Sequence, residues 1–336
     1  MKAQPTPPPH LGTAIDLFAG AGGSSWGAIQ AGVQVVAAVD MWGLAKLTYA
    51  DNIPGVAFYA QKCEDLDPRT LACKVGTIDL LIASPECTSH SYARGSRAPS
   101  HSSLATAFQV TRFARELMPR WVVVENVVQM RQWAGYSRWL SRLASLGYNI
   151  MEQVINAADL GVPQSRARLF IMGDLEKQPS LVFPRPRRRR RTIRPVLNLD
   201  GKYPFSPFFT DTRSQSSIER AHRAIRTLPP QEPFLLVYYG SDGAGGWQSL
   251  RRPLRTVTTV DRFALVRRNN KGRLEIRMLQ VPELKLAMGF PPSYRFDHGT
   301  RRDKVRLLGN AVCPPVMTAI IEHLVGGGPS SGPQPR

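Results

Sequence analysis

The sequence predicts an α/β chain in which a mainly parallel sheet, with helices on both faces, is joined to a smaller irregular domain. Three observations carry this. Short apolar runs alternate with helix-like stretches through residue 173, a glycine-rich turn closes the first run, and the alternation stops after Asp174.

The apolar runs lie at 13–18, 34–39, 77–83, 121–124, 149–155 and 168–172, each bounded by turn residues, and read as buried strands. Between them, 24–31 is helix-like and closed by Gly32, and 102–118 is helix-like and stopped by Pro119. From Asp174 to about Trp247 the chain is rich in Pro, Arg, Gly and aromatics. It holds an unbroken arginine run from Arg187 to Arg191 and a turn-like Tyr238-Tyr239-Gly240-Ser241-Asp242-Gly243. The expected layout is a first domain of residues 12–173 with 303–325, a second, irregular domain of 174–302, and disordered tails at 1–11 and 326–336. Near the end, Val316, Ile320, Ile321 and Leu324 recur at helical spacing and give the stretch from Pro314 to Leu324 a face to bury.

Charge is unevenly spread. The net charge is +19, yet residues 1–172 carry 15 basic against 12 acidic side chains and residues 173–336 carry 29 against 13. A nearly neutral half followed by a basic half suggests that one part handles a small molecule and the other a polyanion, by default DNA or RNA. No run has the apolar length of a membrane helix, and the first ten residues lack the apolar core of a signal peptide, so an intracellular, cytoplasmic protein is expected. The four cysteines, Cys63, Cys73, Cys87 and Cys313, form no Cys-x-x-Cys pair and have no histidine at zinc-ligand spacing; neither a disulfide framework nor a metal site is expected.

In open α/β sheets ligands sit beyond the carboxyl ends of the strands, and the candidate residues fall there. The first strand runs into Phe18-Ala19-Gly20-Ala21-Gly22-Gly23, and the second ends at Asp40, followed by Trp42. Glycines admit a ligand close to the backbone, and an acidic residue about twenty positions on can accept from both hydroxyls of a ribose. A nucleoside cofactor fits, and so does an ordinary turn with an incidental aspartate. Ser25 stands where a dinucleotide fingerprint needs its third glycine, and Phe18 can lie along an adenosyl group, which favours S-adenosylmethionine over NAD. Glu64-Asp65 follows the third strand and can reach an adenine amino group; an exposed acidic loop fits that pair equally well.

The fourth strand leads into Ser84-Pro85-Glu86-Cys87-Thr88-Ser89-His90-Ser91. Cys87, in a proline-stiffened turn at a strand end, is placed as a nucleophile, although a free cysteine taken alone is more often a small buried hydrophobe. The next strand delivers Glu125-Asn126-Val127 to the same edge, so a carboxyl group can face the thiol across a pocket. Cytosine carbon 5 is a poor nucleophile until a thiolate adds at carbon 6 and a carboxyl group stabilises the charge at nitrogen 3, roles that Cys87 and Glu125 suit. Gln164-Ser165-Arg166-Ala167-Arg168 offers guanidinium forks for a base oxygen and a phosphate.

With these motifs in this order, the chain resembles the DNA cytosine-5 methyltransferase family from Ala14 to about Val325, the middle of the basic region excepted. The resemblance implies a Rossmann-like, S-adenosylmethionine-dependent methyltransferase sheet with a DNA-recognition domain. Phe18, Gly20, Gly22, Asp40 and Trp42 would hold S-adenosylmethionine, with Glu64, Asp65 and Pro85 beside them. Cys87 would be the nucleophile, Glu125 its carboxyl partner, and Arg166 and Arg168 the base and phosphate clamps. Ser91 matches a phosphate-contacting serine. The stretch from Arg252 to Thr258 resembles the motif that organises the recognition domain, and Arg255 joins Arg187, Arg188 and Arg189 in the expected DNA-binding set. A solvated arm explains the arginine run equally well. Gly309-Asn310-Ala311-Val312 matches the closing motif, which places Asn310 at the cofactor pocket.

Two departures stand out. Pro85-Glu86-Cys87-Thr88 replaces the usual Pro-Pro-Cys-Gln, so Glu86 is expected to face away from the sulfur, where a carboxylate would disfavour the thiolate. Asp40 replaces a more usual glutamate and shortens the reach to a ribose. The expected substrate is double-stranded DNA, entered by flipping the base out of the stack, and the protein is expected to act as a monomer in a restriction-modification setting, with or without a cognate endonuclease. An RNA cytosine-5 methyltransferase on the same scaffold and a catalytically silent DNA-binding homologue are the alternatives, with an NAD-dependent oxidoreductase a distant third.

Overall fold

Strands whose side chains are apolar on both faces belong inside a parallel sheet covered by helices on each side. The computed structural model describes residues 11–85, 101–182, 190–239 and 245–326, with the main chain only for 101–105. In chain order its elements are β1 (Thr13–Leu17), α1 (Gly23–Gln30), β2 (Gln34–Val39), α2 (Gly43–Asn52), β3 (Ala57–Tyr59), α3 (Pro68–Val75), β4 (Leu80–Ala83), α4 (His101–Leu117), β5 (Trp121–Asn126), α5 (Tyr136–Ala144), β6 (Asn149–Asn156), β7 (Gln164–Ser165) and β8 (Ala167–Asp174). There follow β9 (Ser206–Pro207), α6 (Gln215–Thr227), β10 (Phe234–Val237), β11 (Trp247–Ser249), β12 (Leu254–Arg255), β13 (Phe263–Arg268), β14 (Leu274–Met278), α7 (Val281–Ala287), α8 (Arg301–Asn310) and α9 (Pro314–Val325).

The chain divides into two units. The first comprises the described residues of 1–155, 167–183 and 312–336, the second those of 156–166 and 184–311. In the first, a seven-stranded sheet has the order β3-β2-β1-β4-β5-β8-β6. Pairing is parallel from β3 through β5, and β8 runs antiparallel to β5 from Trp121 opposite Asp174 to Asn126 opposite Leu169. The order reverses between β1 and β4, so a crevice is expected at their carboxyl ends. Ile15, Leu17, Leu81, Val122 and Val124 are buried with Phe113 of α4 and Trp139 of α5. Trp139 satisfies its indole N–H on the Ala107 carbonyl at 2.8 Å.

Gly27 of α1 is where α9 docks. A Cβ there would stand 2.6 Å from the Pro314 carbonyl oxygen and 2.7 Å from Met317 Cβ, so only glycine permits this approach. Val316, Ile320, Ile321 and Leu324 are buried, as their spacing predicts. Residues 301–325 together have the length and apolarity of a membrane span, but they form two helices, α8 and α9, and are mostly buried.

The second unit is not irregular. Its sheet has the order β11-β10-β13-β14-β9, every pair antiparallel, and α6 lays Ala221 and Ala224 onto Phe208, Phe234, Leu236 and Ala264. Its strands are two to six residues long and interrupted by arginine and proline, too short to show a periodicity. The unit boundary also differs from the one expected, because 156–166 and α8 belong with the second unit: β7 pairs with β12, and Gln164 bonds to the Val257 N–H at 3.0 Å and the Ala287 carbonyl at 3.2 Å. The expected tails at 1–10 and 327–336 lie outside the described residues.

Arg277 and Glu283 form a buried, two-pronged ion pair at 2.6 and 2.7 Å, with side chains only 3% exposed. The guanidinium lies 5.1 Å from the ring centres of both Tyr203 and Phe205. Glu283 also accepts from the main-chain N–H groups of Asn198 and Gln280. Glu283→Ala leaves that guanidinium buried without its partner and is expected to cost about 3–5 kcal/mol in chemical denaturation. A loss under about 1 kcal/mol would mean that the pair behaves as a surface one.

Candidate active site

The turn after β1 is built from residues in the left-handed region. Phe18 has φ 58°, Gly20 53° and Gly22 82°. Phe18 is a rare non-glycine there, and such conformations persist where the surroundings over-determine them. A Cβ on Gly20 would meet nothing within 4 Å, so open space faces this backbone and a ligand can approach it. Asp40 fixes the turn to the end of β2. Its Oδ2 accepts from Gly20 N–H at 2.9 Å and its Oδ1 from Trp42 N–H at 2.8 Å. A carboxylate oxygen has two acceptor sites, so an oxygen that takes one main-chain N–H can also take a hydroxyl. Asp40 thus holds the two loops together, and Trp42 stands half-buried beside it.

Beneath the turn lies a relay the sequence did not reveal. Tyr49 donates to Ser25 Oγ at 2.7 Å, and Ser25 donates to Asp16 Oδ2 at 2.6 Å. All three are buried, and Asp16 Oδ1 has no hydrogen-bond partner among the described residues. Burial pushes the Asp16 carboxyl up to about 7, against the pull of the Ser25 bonds and with a push from Asp40. Burial and the nearby Asp16 raise the Tyr49 phenol as well. Ser25 drew notice in the sequence only as a missing glycine, and nothing marked Tyr49 on α2 as its partner.

Glu64 and Asp65 stand exposed on a single 3-10 turn, Cys63–Asp65, after β3. Cys63 is buried, and that burial, with the charge of Glu64, pushes its thiol up to about 12, making it inert as a nucleophile. Cys313 is also buried, at the start of α9, and Cys73 is exposed on α3.

At the ends of β4 and β5 the expected pair of strand tips is present. Asn126 donates its amide to the Pro85 carbonyl at 3.2 Å and accepts from Val127 N–H at 2.8 Å, tying the residue two before Cys87 to the residue after Glu125. The motif was visible, but the task of Asn126 was not. Glu125 is 7% exposed and pairs with Arg168, Nε to Oε1 at 3.1 Å, across the antiparallel β5 and β8. Cys87, with Glu86, Thr88 and Ser91, lies outside the described residues.

In the second unit, the sequence made Arg166 a clamp on base or phosphate, but the structure uses it otherwise. Only 3% exposed, it donates to the carbonyls of Val257 (2.9 Å), Gly309 (2.9 Å) and Ala311 (3.1 Å). It is a scaffold residue, separated in task from Arg168 two residues on. Half-buried Arg255 bonds the Trp247 carbonyl at 3.3 Å, bracing β11. Asn310 ends α8 and is exposed. Arg187, Arg188 and Arg189 lie outside the described residues, and Arg190 pairs with Asp159 at 2.7 Å.

A glycine turn, a strand-end acid and a carboxyl paired with an arginine beside a proline turn define a Rossmann-like methyltransferase. The family model for C-5 cytosine-specific DNA methylases matches residues 12–326, and the chain belongs to that family. It is 28% identical over 305 residues to the Type II methyltransferase M.HgiDI of Herpetosiphon aurantiacus, covering 89% of each chain. It is 30% identical over 315 residues to the Type II methyltransferase M.MthTI of Methanothermobacter thermautotrophicus, covering 88% of this chain and 92% of that one. Among solved structures, the S. pombe Dnmt2 methyltransferase shares the fold with TM-score 0.68 at 18% identity, over 94% of this chain and 99% of that one. A putative DNA modification methyltransferase from an E. coli prophage does so with TM-score 0.67 at 21% identity, over 94% and 98%.

The Asp16 carboxyl carries a pH signature. Its folded-state value is raised, so between about pH 4 and 7 the folded protein keeps a proton that the unfolded chain has released, and stability falls as pH rises through that window. Asp16→Asn removes this loss. Its unfolding free energy relative to wild type is expected to improve from pH 5 to pH 8 by up to about 2.6 kcal/mol. A difference that does not vary with pH would rule out the raised carboxyl.

Proposed function

We propose that the protein methylates carbon 5 of cytosine in double-stranded DNA, with S-adenosylmethionine as donor. The observation that carries this is the tie from Asn126 to Pro85, which sets the start of the Cys87 segment beside the Glu125 and Arg168 pair at one sheet edge. The open face of Gly20, the two loops held by Asp40 and the exposed carboxylates of Glu64 and Asp65 fit an adenosyl group, with Phe18, Gly22, Trp42 and Pro85 completing the pocket. When bound, S-adenosylmethionine supplies an electrophilic methyl group on a sulfonium.

The Cys87 thiolate adds to carbon 6, forming a C–S bond and pushing the ring electrons toward nitrogen 3, where the Glu125 carboxyl hydrogen-bonds the ring. Arg168 keeps that carboxyl in place through its 3.1 Å bond and presents further N–H donors to the base. Carbon 5, now nucleophilic, takes the methyl group. Loss of its proton to a base then re-forms the double bond as the C–S bond breaks and the thiolate is released. The target base must leave the duplex to reach such a site, and the basic half of the chain supplies attraction that offsets the unstacking. Membership of a family of DNA methylases favours DNA over RNA, and the likeness to Type II methyltransferases supports a restriction-modification setting.

Bisulfite sequencing of DNA from cells expressing the protein is expected to show cytosines protected at one recurring sequence, and Cys87→Ser to abolish that protection. Wild-type protein is expected to form a covalent adduct on DNA carrying 5-fluorocytosine at the target, because fluorine blocks the elimination. Full methylation by the serine variant would remove Cys87 from the mechanism. Replacing Arg187 to Arg191 with glutamine is expected to flatten the salt dependence of DNA affinity by about 0.9 log units for each phosphate no longer neutralised. The target sequence should be unchanged, since binding to phosphates carries no direct sequence information. An unaltered slope would make the run a bystander.

A further inference from the structure

The turn that presents Glu64 and Asp65 is held weakly by its own main chain: Asp65 N–H reaches the Lys62 carbonyl at 3.2 Å and Leu66 N–H the Cys63 carbonyl at 3.3 Å. Both residues are exposed, so no packing of their side chains fixes where the carboxylates point. The turn is fixed from outside, by α4. Arg112 Nη2 donates to the carbonyls of Cys63 at 2.5 Å and Leu66 at 3.0 Å, one on each side of the acidic pair. The guanidinium is itself aimed by Gln109, which accepts from its Nε at 2.7 Å, and lies 5.0 Å from the Phe113 ring centre. One helical turn further on, Glu116 takes Arg69 at 2.7 Å, gripping the start of α3. One terminal nitrogen therefore reaches both ends of the turn while Nε is anchored on Gln109, a combination that lysine, with one nitrogen, does not reproduce.

We propose that Arg112 is a positioning residue for the adenine end of the cofactor pocket, holding the Cys63 and Leu66 carbonyls so that Glu64 and Asp65 stand where a carboxylate accepts from the adenine amino group. This rests on the S-adenosylmethionine reading. Arg112 does not touch the ligand; it acts through the turn. Its helix also continues the chain from the 86–100 segment that carries Cys87, so the adenine-reading turn is tied to the helix that follows the nucleophile in sequence.

The test is calorimetry with two probes, S-adenosylhomocysteine and S-inosylhomocysteine, which differ in whether the purine carries the amino group. Wild-type protein is expected to prefer the adenosyl compound by roughly tenfold or more, the worth of one hydrogen bond to a charged group. Arg112→Met, which keeps the apolar stem, is expected to lose about that factor for the adenosyl compound alone and to bring the two affinities within roughly twofold. Arg112→Lys, safer for folding, should fall between. Retained preference in both variants overturns the proposal, and so does equal weakening of both compounds, which marks a purely structural role. Failure of the wild-type protein to bind S-adenosylhomocysteine at all would instead overturn the methyl-donor reading beneath it.

Discussion

The amide of Asn126 on the Pro85 carbonyl is the interaction on which the proposed chemistry depends. Parallel pairing of β4 with β5 brings two strand tips side by side but leaves the loops beyond them free to diverge. A single hydrogen bond between those loops removes that freedom at the point where one leads to a thiol and the other has just delivered a carboxyl group. The Arg168 guanidinium, reaching across from the antiparallel β8, restrains Glu125 in a largely buried position.

The two arginines of one short motif illustrate how closely spaced residues divide labour. Alternation along an extended segment sends Arg166 and Arg168 to the same side only while the strand is regular, and here it is not: Gln164–Ser165 pair with β12, while Ala167 begins β8. The chain changes sheets between the two side chains. Arg166 is left among carbonyls of the second unit, and Arg168 is carried to Glu125 in the first.

The parallel sheet was legible because buried parallel strands advertise themselves: 13–18, 34–39 and 121–124 are apolar runs ended by turn residues, and each became a strand within a residue or two. The glycine turn, Asp40 and the Glu125 motif were legible for the same reason, since they stand at the ends of those runs. The antiparallel sheet of the second unit was not. Phe234–Val237 and Phe263–Arg268 are a strand's length at most, and β9 and β12 are two residues each, below any period that pattern can show. Tertiary partnerships were equally hidden. Tyr49 sits on α2 and Ser25 on α1, 24 residues apart, and only folding makes them one relay. Arg112 lies inside the helix-like stretch 102–118, and nothing in the sequence points from it to its acceptors, 46 and 49 residues away.

The seat of α9 on Gly27 bears on how the chain is made. Thr318 donates to the Gly27 carbonyl at 3.0 Å across 291 residues, and Gly27 admits α9 against its bare backbone. During synthesis, every segment of the second unit is made before α9. The first unit, begun earlier, must wait with one flank of α1 open to water until that helix arrives. The older part of the nascent chain is thus completed after the younger, and a truncation that removes α9 strikes the fold at its first helix.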